Sequence, residues 1–112
     1  MSAQIFNTFA KAISDLPAEA VMTALDLQCR MLEEDFENCR IEATDEVLSI
    51  FSFRQFARMV QEEGTMHCVK RLPPEHIEFY KETIARLVRA GLLPEATMER
   101  FEFTFAGTGS FV

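Results

Sequence analysis

The sequence predicts a compact, mainly α single domain of four helices that opens with a helical hairpin. One to three short strands, the last at about 101–105, place it at the α+β margin. Three observations lead there. Four segments repeat their apolar residues at the 3.6-residue spacing of a helix, and one short segment alternates with period two. The chain has 112 residues, 48% of them apolar and 26% charged. That is the size and apolar content of one folded core, too apolar for disorder. Residues 1–106 are expected to form this domain, with 107–112 (Gly-Thr-Gly-Ser-Phe-Val) as a flexible C-terminal tail.

The first helix is expected from Ala3 to Ser14. Ile5, Phe6, Phe9, Ala12, Ile13 and Leu16 share one arc, opposite Gln4, Asn7, Lys11 and Ser14. Asp15 as cap and Pro17 in a first turn then start a second helix, from about Pro17 to Asn38. Val21, Leu25, Cys29, Leu32, Phe36 and Cys39 form its main stripe, and Ala20, Ala24, Leu27 and Met31 a second one beside it. So much apolar circumference predicts a central helix packed by several neighbours. The two helices, joined by a short turn, make the hairpin.

Residues 47–51 (Val-Leu-Ser-Ile-Phe) read two ways. They suit a short buried strand, and equally the first turns of a long helix capped by Thr44. The stronger local signal follows them. Ser52 and Gln55 fit a capping box flanked by Phe51 and Phe56 as a staple, favouring a helix from Phe53 to Glu63 ended by Gly64. Thr65 to Leu72 reads as a connector or short strand. The fourth helix should run from Pro74 to Ala90, closed by Gly91. It buries Ile77, Tyr80, Ile84, Leu87 and Val88, and turns Glu75, Glu78, Glu82, Arg86 and Arg89 to water. Phe101, Phe103 and Phe105 then alternate with Glu102 and Thr104, a strand pattern that needs a partner strand.

Several function classes fall away. The formal net charge is −7, from 11 basic and 18 acidic residues. Nucleic acid and anionic membranes need clustered Lys and Arg, so neither is expected as a partner. Arg54, Arg58, Lys70 and Arg71 gather along the third helix and its exit, but Glu62 and Glu63 interrupt them. No stretch approaches the roughly 20 apolar residues of a transmembrane helix. Met1-Ser2-Ala3-Gln4 opens no signal-peptide pattern, and Ser2 excludes N-myristoylation. Three cysteines without close spacing suggest free thiols in a reducing cytoplasm.

Catalytic chemistry finds little support. Cys29 and Cys39 lie ten residues apart on one predicted helix, about 15 Å, too far to bridge or share a metal. His67, Cys68 and His76 are the residues a small metal- or thiol-dependent enzyme would use. Adjacent side chains in an extended segment point apart, however, and no orienting group or oxyanion motif accompanies them. His76 falls at the edge of its helix's apolar face, a place for a partly exposed packing residue. The four glycines make no phosphate-binding loop. No catalytic residue, metal or cofactor is expected.

Charge is the informative feature. Glu33, Glu34, Asp35, Glu37, Glu42, Asp45 and Glu46 stand against one base, Arg40, so residues 33–46 carry a charge of −6. The rest of the chain is nearly neutral. A solvated face for solubility explains such a run as well as a docking face does. The functional reading is a small cytoplasmic, non-enzymatic protein that binds a partner with a basic surface through these seven acids. An inhibitor, an immunity-type protein or an accessory or assembly subunit works this way. A homo-oligomer built through the Phe-rich strand 101–105 is the remaining alternative.

Overall fold

The computed structural model describes residues 3–62 and 72–106. Five α-helices follow in order: α1 (Ala3–Ser14), α2 (Ala18–Glu37), α3 (Asp45–Gln61), α4 (Pro74–Arg89) and α5 (Thr97–Phe101). A π-helical turn, Glu102–Ala106, continues α5. No strand occurs among the described residues. The radius of gyration is 13.6 Å, close to the ~13 Å of a compact chain this long.

Helix α1 forms as its periodicity dictates and buries Phe6, Phe9 and Ile13. Asp15 does not cap α2. Pro17 holds the N-cap position with ψ of 155° and no side-chain cap, and Asp15 instead pairs with Lys11 at 3.5 Å. The carbonyls of Ile13, in the last turn of α1, and of Leu16, just beyond it, find a donor on α4. Arg86 Nη1 donates to Ile13 O at 3.4 Å and Nη2 to Leu16 O. Arg86 therefore leaves the water-facing side expected of it, because a helix end offers unsatisfied acceptors that a cation serves well.

Helix α2 packs against α1, α3 and α4, but the most deeply buried helix is α3. Thr44 caps it, its hydroxyl accepting from the Val47 N–H at 3.4 Å, while Asp45 and Glu46 favour its positive end. The helix thus starts eight residues before Phe53, and 47–51 is helical. Ser52, expected as a cap, is buried mid-helix. Val47, Ile50, Phe53, Phe56, Ala57 and Val60 line a core-facing arc wide enough to meet neighbours on several sides. The helix ends at Gln61. Gly64, the expected stop, and the connector after it lie outside the described residues.

Helix α4 buries Tyr80, Ile84 and Leu87, with Ile77 and Val88 half-buried. Tyr80 stacks on Phe53 at 4.2 Å between ring centroids, with 12° between the planes. The 101–105 segment is a correction: it coils, turning Phe101 and Phe105 inward and leaving Phe103 70% exposed. Three aromatics at alternate positions satisfy a strand, but the first and last also stand four apart, one helical turn. Phe56 lies 5.4 Å from Phe101 and 5.7 Å from Phe105, and that shared neighbour selects the helix. With no strand there, the strand-mediated homo-oligomer loses its premise.

Candidate functional site

The acidic residues gather where α2 ends and turns into α3. Glu33, Glu34, Asp35 and Glu37 occupy the last two turns of α2. Glu42 and Asp45 follow in the connecting loop and at the start of α3, both exposed. The seventh acid is a correction. Glu46 is buried, and its Oε1 accepts the backbone N–H of Phe6 from α1. Its neighbour Val47 is buried too, so the first turn of α3 is already part of the interior and cannot present Glu46 to a partner.

The end of α2 is uncovered. Phe36 is 47% exposed although it lies on the same stripe as the buried Val21, Leu25 and Cys29. Cys39 is also misplaced by that stripe. It lies past the helix at φ of 59°, fully outside the core. Around it the chain closes a Schellman turn: Cys39 N–H donates to Phe36 O at 3.1 Å and Arg40 N–H to Asp35 O at 2.8 Å. Arg40 also reaches back to the Asp35 carboxylate at 3.2 Å. No basic residue lies in the last turn of α2 to offset its negative dipole end.

The second stripe of α2 is open at two positions: Leu27 is 51% and Met31 53% exposed, although the helix packs against α1, α3 and α4 as its composition predicts. On its other flank, Arg54 of α3 binds Asp26 at 2.8 Å. That hydrogen bond is the main reason the Arg54 guanidinium is held even more firmly charged. Arg58 pairs with Glu62 at 3.6 Å. The basic residues of α3 are therefore matched by acids, while Lys70 and Arg71 lie outside the described residues.

A second polar cluster is internal. Ser49 Oγ lies 2.8 Å from both His76 Nδ1 and Tyr80 OH. The Phe6 ring stacks on His76 at 3.5 Å and 7°. Burial lowers the pKa of His76 and raises that of Tyr80. His76 is thus a buried core residue and not the partly exposed one its position suggested. The serine and the histidine touch inside the core, and with Phe6 and Tyr80 the pair ties α1, α3 and α4 together. Glu46 and Ser49 are three apart on α3, and His76 and Tyr80 four apart on α4. That spacing was visible in the sequence, but it has meaning only once 47–51 is known to be helical.

Of the thiol candidates, Cys29 is buried, and desolvation pushes its pKa up to about 12, which leaves it unreactive near neutrality. His67 and Cys68 lie outside the described residues. Among the described residues, no three His, Cys, Asp or Glu side chains are grouped to hold a metal ion. No described helix is long and apolar enough to cross a membrane. No protein-family model matches the chain, and neither does any curated protein or solved structure.

Proposed function

We propose that the chain is a cytoplasmic, non-enzymatic protein that binds a partner with a basic surface. It uses the end of α2 and the loop after it, through Glu33, Glu34, Asp35, Glu37, Glu42 and Asp45. It acts as an inhibitor, an immunity-type protein or an accessory or assembly subunit. One observation carries the reading: Glu33, Glu34, Asp35 and Glu37 crowd the last two turns of α2, where the backbone dipole disfavours acids and no base in the last turn offsets them. A surface serving solubility alone does best with its charges dispersed and both signs mixed. A concentrated acidic corner raises the association rate with a basic partner and rejects acidic ones.

Affinity capture from native host lysate at low and high salt tests this. A stoichiometric partner is expected at low salt, lost at high salt and lost on joint Glu33→Lys, Glu34→Lys and Glu37→Lys substitution. Undiminished capture by the triple variant overturns the reading.

A further inference from the structure

An open groove of about 320 Å³ runs between α1 and α2. Phe9 and Leu32 form its floor, Ile5 and Met31 its sides, and Gln28 and Asp35 polar points on its rim. On α2, Leu27, Met31 and Asp35 are four residues apart in turn, so they form one ridge along the helix. That ridge is apolar and about half exposed at Leu27 and Met31, and ends in the acid Asp35, with Glu34 along its outer flank.

We propose that this groove seats one helix of the partner, apolar on one face and carrying Lys or Arg along the flank of that face. The proposal rests on the partner-binding reading above and names the shape and chemistry of what binds. Two helices already side by side leave a furrow into which a third packs by ridges and grooves. From Leu27 to Asp35 the ridge runs about 12 Å, so two to three turns of the incoming helix meet it. Its anchors are apolar residues at i, i+3 or i+4, and i+7.

Charge selects the occupant and its direction. The acids at the α2 end attract basic flanking residues and the positive N-terminal end of the incoming helix. That helix therefore runs antiparallel to α2. A second copy of this chain fits badly, because its net charge of −7 opposes the acidic rim. Met31 lines the groove and Leu27 extends its ridge, neither supporting the core, so changing them to glutamine, a good helix former, alters the docking face and not the fold.

The test uses a panel of stapled helical peptides with Leu, Met or Phe at the anchor positions and either Lys or Glu along the flank. Binding to the full chain is read by fluorescence anisotropy. Lys-flanked peptides are expected to bind, and Glu-flanked ones to bind at least tenfold more weakly. The joint Leu27→Gln and Met31→Gln variant, its fold checked by thermal melting, is expected to lose binding at least tenfold. Equal binding by that variant, or no binding by any Lys-flanked peptide, overturns the groove. The same variant used in lysate capture separates the two readings. Capture that survives it yet fails on charge reversal removes the groove and leaves the acidic face standing; capture that survives both removes both. Self-association of the unmodified chain that the variant abolishes gives the face to a second copy and overturns the partner helix.

Discussion

Helices α2 and α4 leave their last turns through the same pair of backbone hydrogen bonds, built from opposite materials. After α4 the Gly91 N–H donates to Val88 O at 3.0 Å and the Leu92 N–H to Leu87 O at 2.9 Å. Gly91 takes the left-handed position at φ of 76°, and Arg86 and Arg89 supply positive charge to the last turn. After α2 the left-handed residue is Cys39, the last turn holds no base, and acids crowd it. One end follows every local rule of helix termination, and the other breaks two of them. Local rules are broken in natural proteins mostly where function or strain demands it. This contrast supports the proposal that the end of α2 is the binding site.

The largest effect expected on the α4 side comes from Arg86. Arg86→Ala removes charge-assisted bonds to two carbonyls of the α1 terminus and should cost about 1.5–3 kcal/mol in urea unfolding. Arg89→Ala, on the exposed side of the same turn, should stay within about 0.5 kcal/mol. Similar losses for both would mean that Arg86 acts only as a surface charge.

Next is the left-handed residue itself. A Cβ built on Gly91 meets nothing within 4 Å, so Gly91→Ala costs conformational strain alone, about 1–2 kcal/mol. Cys39→Gly runs the other way. It relieves the same strain and should stabilise by up to about 1 kcal/mol, the gain limited by the added freedom of the unfolded chain. A destabilised Cys39→Gly protein would show that the thiol makes a contact worth more than the strain.

Smaller again, Glu34→Lys and Glu37→Lys should each stabilise the isolated chain by a few tenths to about 1 kcal/mol at low ionic strength, by complementing the helix dipole. The same substitutions should weaken partner capture. Stability and binding moving in opposite directions is the signature of a functional site, and a joint loss of both would assign these acids a structural role.

Near neutrality the smallest change is the one set by His76. Its folded-state pKa lies below the ordinary 6.5, chiefly through burial, with Glu75 and Glu46 opposing that shift. The folded protein therefore binds fewer protons here than the unfolded chain does. His76 leaves stability intact above about pH 6.5, and its contribution is lost as pH falls from there toward the lowered folded value. His76→Gln should flatten the stability profile across that window; an unchanged slope would mean that other groups set it.

How much of this was legible in the sequence depends on how local each signal was. The bounds of α1, α2 and α4 follow from apolar spacing, with Pro74 and Gly91 marking the ends of α4 by their own backbone preferences. The acidic run was equally plain. What misled was competition between local signals. Ser52 with Gln55 imitates a helix start as well as Thr44 does, and only the inward packing of Val47 and Ile50 decides for the earlier one.

Local patterns along the chain suffice to make it mainly helical, to set where its amphipathic stripes run and to gather its charge at one corner. These depend on residues within a few positions of each other, and short-range sterics and helix geometry are enough to set them. Packing between distant segments buries α3 most deeply, coils Phe101 and Phe105 around Phe56, and encloses Glu46 and His76 against α1. The same packing leaves Leu27 and Met31 uncovered. Whether an apolar or charged side chain is buried is settled by which distant segment lies against it, and residue spacing along one helix carries no record of that neighbour.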